Sequence, residues 1–269
     1  MWVEAPLLHQ AMGLHGFTPE RQLRLLAVAS QPGAGRLELE MLWQVCASLQ
    51  RLSYPVVVLD GTAAENEDAP GLAQLLGGMP WPADWMMNGT LPVVPAARGL
   101  VQLARRADTL PSTLAPLAPL FRSYAVAVLY APAPLLAPLL ARAAADHCSP
   151  LVMTGPGAQG MVGSYRQLKH LALHAGVSRS TVVSIQPPGA APARQTAEAL
   201  ATLQRSAGEH LGLHVHTTTV APGRAQDVQR LALQLLENAC TMEAAGAGMP
   251  LLPGSSPAAT PWSSLERSH

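Results

Sequence analysis

The sequence predicts an α/β protein: a mostly parallel sheet flanked by helices on both faces. Three observations predict it. Apolar strand-like runs alternate with helical patterns, the order that builds parallel strands joined by crossover helices. The run Pro55-Val56-Val57-Val58-Leu59-Asp60 is continuous and β-branched, as a strand buried on both faces should be. A Gly-rich turn at residues 31–36 separates the first apolar run from an amphipathic segment.

In chain order, strands are expected near 24–30, 55–60, 91–95, 124–130, 149–154, 180–186 and 213–220. After the first strand, Leu39, Leu42, Trp43, Cys46 and Leu49 form one helical stripe, and Tyr165, Leu168, Leu171 and Ala172 form another later on. A last helix is expected from about Asp227 to Met242, with Val228, Leu231, Leu235 and Cys240 on its apolar side. Its Arg230 is offset by Asp227 and Glu237, so packing on the sheet is expected rather than attraction to anionic lipid. These elements place an α/β domain at 24–243, preceded by residues 1–23 and followed by a tail at 244–269. The tail is rich in Ala, Gly, Pro and Ser, has little to bury, and is expected to be disordered.

Composition narrows the function. The 269 residues are 49% apolar, enough for one large domain with a substantial core. Formal net charge is zero, which leaves no basic stripe for a nucleic-acid backbone. Three cysteines, Cys46, Cys148 and Cys240, lie far apart in the chain and read as reduced thiols of a cytosolic protein. The N-terminus has no basic segment leading into an apolar one, so no signal peptide is expected. The uncharged apolar stretch from Ala125 to Ala141 is short for a membrane span and is interrupted by Pro132, Pro134 and Pro138.

The turn after the first strand reads Gln31-Pro32-Gly33-Ala34-Gly35-Arg36-Leu37. Its place between strand and helix is that of a phosphate-binding P-loop. Such a loop needs backbone N–H groups aimed at phosphate, a lysine on the outer phosphates and a Ser or Thr hydroxyl on magnesium. On these residues the chain resembles the MinD/ParA family of deviant Walker-A ATPases, whose loop reads K-G-G-V-G-K-[ST]. The resemblance implies a P-loop NTPase, MinD-like fold. It matches the signature lysine to Gln31, the Walker lysine to Arg36 and the magnesium-binding hydroxyl to Leu37. Pro32 removes one N–H from the cradle. The family's D-x-D falls on Asp60-Gly61-Thr62, where the second carboxylate is missing, and its later strand-end carboxylate falls on Tyr130. Phosphoryl transfer depends on positioning and on charge neutralisation by lysine and Mg²⁺. These replacements therefore imply a pseudo-ATPase without a working ATP cofactor. Residual ATP, ADP or anion binding would rest on Gly33, Gly35 and Arg36; otherwise the two glycines serve as a tight turn.

Further segments resemble the flagellar-number regulators FlhG/FleN within that family. They are Leu91-Pro92-Val93-Val94-Pro95-Ala96-Ala97-Arg98-Gly99-Leu100, the turn Gly155 to Tyr165, and the passage from Ala201 to Leu213. The similarity runs over about residues 8–242. FlhG proteins begin with a D-Q-A-x-x-L-R helix that stimulates the GTPase FlhF; here the chain reads His9-Gln10-Ala11-Met12-Gly13-Leu14-His15. The resemblance implies a partner-binding helix with Gln10, Ala11 and Leu14 in the matching places. There, a glutamine would orient the attacking water in the partner's GTP site. Leu7, Leu8, Ala11 and Leu14 supply an apolar face for a groove. The resemblance thus implies a cytoplasmic regulator of flagellar number or placement, brought to the cell pole or inner membrane by its partner. It is expected to be monomeric, since the family's dimer depends on bridging ATP. Two rivals stay open: a MinD-like scaffold of cellulose-secretion or pilus systems, and a weak residual ATPase.

Other clusters are discounted. His214 and His216 alternate on one predicted strand, with His210 before them; that spacing could hold a metal, but metal binding is not expected. His170 and His174 are spaced i, i+4 without the glutamate of a zinc protease. Cys148 beside His147 reads as a buried structural thiol.

Overall fold

The structure is a computed structural model that describes residues 22–31, 36–80, 91–106, 113–141, 148–155, 157–187 and 193–242. Among these residues the elements run β1 (Leu23–Ser30), α1 (Arg36–Arg51), β2 (Val56–Asp60), α2 (Leu72–Leu76), β3 (Val93–Pro95), α3 (Ala97–Arg106), α4 (Leu117–Leu120) and β4 (Val126–Pro132). They continue with α5 (Ala133–Leu140), β5 (Leu151–Thr154), α6 (Ala158–Ala175), β6 (Arg179–Ile185), α7 (Ala193–Leu211), β7 (His214–Val220), α8 (Ala225–Glu237) and β8 (Cys240–Met242).

The sheet order is β3-β2-β4-β1-β5-β6-β7, with β8 also paired to β1. Every pairing along that path is parallel, whereas β8 runs antiparallel to β1 through Leu23–Met242, Arg24–Thr241 and Leu25–Cys240. All seven expected strands are present. β1 is central and is buried at every position except the half-buried Arg24. Its residues divide between two apolar layers. Leu25, Ala27 and Ala29 join the layer under α2, α3, α5, α6 and α7; Leu26 and Val28 join the layer under α1 and α8. A strand dressed on both faces needs apolar side chains in both phases, and the LRLLAVAS run supplies them.

Helix ends follow local chemistry. Pro132 and Pro134 flank the start of α5, where a missing N–H costs nothing. At the far end of α6, Gly176 takes a left-handed conformation, φ 64°, which a glycine adopts without a Cβ penalty.

Two expectations are corrected. The expected helix from Asp227 to Met242 ends at Glu237, and Cys240 to Met242 form strand β8 instead. Three more residues of helix would have carried Cys240 and Met242 away from β1, whose Leu23–Leu25 edge is left open by β5. The stripe on α1 is also shifted. Leu42, Cys46 and Leu49 are buried, but Leu39 and Trp43 are 50% and 51% exposed. The buried face runs through Glu38, Met41, Leu42, Val45 and Leu49 instead. On α6, Leu168 and Leu171 are buried while Tyr165 and Ala172 are only half-buried. None of the helices in the described residues is long and apolar enough to cross a membrane. Residues 1–21 and 243–269, which contain the expected N-terminal helix and tail, lie outside the described residues.

Candidate functional site

In open α/β sheets ligands bind beyond the carboxyl ends of the strands. Here the ends of β1, β2 and β4 meet the start of α1 and a face of α6. Of the residues singled out in the turn, Gly33 and Gly35 lie outside the described residues, as do Gln10, Ala11 and Leu14 in the N-terminal segment. Arg36, Gln31, Leu37, Asp60, Thr62 and Tyr130 are described. The structure brings several of them together at the strand ends.

Arg36 opens α1 with its side chain exposed. A cation at a helix N-terminus meets the positive end of the backbone dipoles and gains nothing from it. Leu37 is half-buried and packs into the apolar layer under α1. One turn in, Glu38 is 7% exposed and its carboxylate accepts a hydrogen bond from the backbone N–H of Gln31. Its Oε1 is buried without a hydrogen-bond partner. Burial pushes the Glu38 carboxyl up from 4.5 to about 7, with the Gln31 hydrogen bond pulling the other way.

Tyr130 is 3% exposed at the end of β4, level with Asp60 on β2 and Val28 on β1. Burial pushes its phenol well above the usual value, and the charges of Glu38 and Asp60 push it further. Asp60 is closed locally: its Oδ1 accepts from the backbone N–H of Thr62 at 2.8 Å and from the Thr62 hydroxyl at 2.6 Å. Glu38 and Asp60 thus lie near the Tyr130 phenol at these strand ends, and the Arg36 side chain is exposed.

The Gln31 side chain turns the other way, across the sheet to α6. Its Nε2 donates to the Met153 carbonyl at 2.8 Å and to Ser164 Oγ at 3.1 Å, and Ser164 in turn donates to the Gly160 carbonyl at 3.0 Å. Gly163 makes room for it, since a Cβ there would lie 2.6 Å from Gln31 Oε1. Alongside, Gln167 Nε2 donates to the Ser30 carbonyl at 2.9 Å, while Gln167 Oε1 is buried without a hydrogen-bond partner. These amides floor an open cavity of about 910 Å³, with Pro134, Arg166 and His170 at its sides. Desolvation, then the His174 charge, lowers the His170 pKa; the two rings stand 4.3 Å apart.

Glu38, Ser164 and Gln167 were not singled out from sequence. Glu38 carried a signal, because it sits at apolar spacing with Met41, Leu42 and Val45. Ser164 and Gln167 carried none, since their partners lie 133 and 137 residues away in the chain. His214 and His216 are exposed on β7, and no cluster of three or more His, Cys, Asp or Glu is placed to hold a metal among the described residues. Cys148 is buried.

No model of a protein family matches this sequence, and no curated protein sequence matches it. Solved structures do. Cobyrinic acid a,c-diamide synthase from Mycobacterium smegmatis aligns with TM-score 0.51 at 16% identity, covering 80% of this chain and 94% of that one. The same synthase with a bound ATP analogue and magnesium gives TM-score 0.50 at 18% identity, over the same shares of both chains. A ParA family ATPase from Chlorobium tepidum aligns over 82% of this chain and 96% of its own at 13% identity, with TM-score 0.43. At these identities the likeness is one of fold: a parallel α/β sheet flanked by helices.

Proposed function

We propose that this chain is a pseudo-ATPase of the MinD/ParA type that works through contacts, as an FlhG/FleN-like regulator acting on an FlhF-type GTPase. The observation that carries the pseudo-ATPase reading is Glu38. Its buried carboxyl group takes the Gln31 N–H at the start of the turn and stands near Tyr130, as Asp60 does from β2. The synthase of like fold holds an ATP analogue with magnesium. For this chain, neither Leu37 nor Tyr130 can ligate magnesium as a hydroxyl or carboxylate would. Gln31 is engaged within its own chain, to Met153 and Ser164, which supports a monomer rather than a dimer bridged by nucleotide.

The regulatory half rests on the sequence at Gln10, Ala11 and Leu14. In this reading the protein resides in the cytoplasm and reaches the pole or inner membrane through its partner. GTP hydrolysis by the cognate FlhF-type protein, alone, with this protein and with its Gln10→Ala variant, tests it. The expected result is stimulation that the variant loses. Equal rates in all three arms would overturn the activator role and leave a scaffold. Separately, magnesium-dependent ATP turnover abolished by Arg36→Ala would overturn the pseudo-ATPase assignment, as would ATP-driven dimerisation in light scattering.

A further inference from the structure

The outer edge of β1 is shared by two strands placed end to end. β5 pairs at Val28 and Ala29, and β8 pairs at Leu23, Arg24 and Leu25. Cys240 on β8 stands opposite Leu25. Leu151 on β5 stands opposite Val28, so three places back along the same register Cys148 also comes level with Leu25. Two cysteines far apart in sequence thus converge where β5 and β8 abut. Both belong to one apolar cluster with Leu23, Leu25 and Met242, and their sulfurs hydrogen-bond each other. Cys46 lies in the cluster on the opposite side of the sheet.

We propose that Cys148 and Cys240 are a redox pair that closes to an intramolecular disulfide in response to a hydroperoxide, clamping β8 to the sheet. The Cys148 thiol donates to Cys240 sulfur, and this lowers the Cys240 pKa to about 7 despite its burial. Burial pushes Cys46 up to about 12, which leaves it unreactive. The Cys240 thiolate is therefore the attacking sulfur. It forms an S–O bond to peroxide as the O–O bond breaks, and the departing hydroxide takes a proton to become water. Cys148 sulfur then attacks the sulfenic acid. An S–S bond forms, the S–O bond breaks, and hydroxide leaves with the Cys148 proton as a second water. Two thiols are oxidised by two electrons and one hydroperoxide is reduced. β8 is three residues long and, among the described strands, pairs with β1 alone, so its local opening admits a small oxidant to two cysteines that are 3% and 7% exposed. A thiol reductant reverses the bond.

The test uses the full chain, treated with hydrogen peroxide under native conditions, quenched with N-ethylmaleimide, and mapped by mass spectrometry without reduction. The expected product is a Cys148–Cys240 linked peptide, present in the wild type and in Cys46→Ser, absent in Cys148→Ser, and lost on adding dithiothreitol. Because the linked peptide is sought in the wild type, failure of a variant to fold does not decide the matter. The linked protein should melt about 10 °C higher, as closure of a long loop implies. Separately alkylated or over-oxidised Cys148 and Cys240 peptides would overturn the pair. An unchanged melting point in the linked protein would overturn the clamp.

Discussion

Glu65 Oε1 accepts a 2.8 Å hydrogen bond from the backbone N–H of Gly99, 34 residues further along the chain. The same oxygen takes the Ala73 N–H at 3.2 Å, and Oε2 takes the Arg98 N–H at 2.6 Å. One carboxylate, 2% exposed, thus satisfies first-turn donors of both α2 and α3 and ties the end of β2 to the end of β3. Glu65→Ala would orphan one buried and two part-buried donors and is expected to cost about 3 kcal/mol. Glu65→Gln keeps one acceptor oxygen and should cost less. Urea midpoints of the three proteins check the order.

The same junction leaves no room for a methyl group. A Cβ on Gly99 would lie 2.6 Å from Leu72 Cγ and 2.8 Å from the Ala73 nitrogen. Gly99→Ala should therefore destabilise by about 2 kcal/mol through overpacking. Gly208, inside α7, has nothing within 4 Å of an added Cβ. Gly208→Ala should stabilise by up to about 1 kcal/mol, because alanine is the better helix former. Thermal unfolding of the two variants should move in opposite directions.

Glu38 makes stability depend on pH in an unusual direction. Its folded carboxyl is raised from 4.5 to about 7, so the native chain holds a proton that the unfolded chain has released. Stability from this group is present below pH 4.5 and is lost as pH rises through about 7. The loss should be about 2 kcal/mol, and Glu38→Gln should remove it. Denaturant titrations at pH 5 and pH 8 decide this. A wild type that gains stability relative to the variant between those values would refute the assignment.

On α1 the register shift has a direct mutational signature. Trp43→Ser and Leu39→Ser change exposed side chains and should alter stability by no more than about 0.5 kcal/mol. Met41→Ala and Leu49→Ala empty fully buried positions and should each cost about 2–5 kcal/mol. Chemical unfolding of these four variants separates the two faces.

The seven strands along the sheet path were legible as short apolar or β-branched runs, continuous in β2 and β4 and alternating with His214 and His216 in β7. β8 was not, for two reasons. Cys240-Thr241-Met242 is too short to show alternation, and it follows the apolar helical residues Leu231, Leu235 and Leu236 with no Gly or Pro between. Asn238 was the overlooked stop signal, since it caps α8 through its own N–H to the Gln234 carbonyl. The α1 stripe misled because Trp43 and Leu39 suit a core by composition, whereas a buried glutamate is never the first choice of a pattern reader. The candidate site was legible as a place, through the turn at 31–37 and the strand ends at Asp60 and Tyr130. Its contacts were not, because the bonds from Gln31 and Gln167 to α6 and β1 join residues more than a hundred positions apart.

The central place of β1 also governs how the chain is made. β1 leaves the ribosome before every strand it pairs with: its inner neighbour begins at Val126, its outer neighbour at Leu151 and its last partner at Cys240. At about 10 residues per second, a strand with apolar side chains on both faces waits roughly 10 seconds for its first partner. Throughout that interval it is a natural client for a nascent-chain chaperone, and translational pausing before β4 would lengthen its exposure.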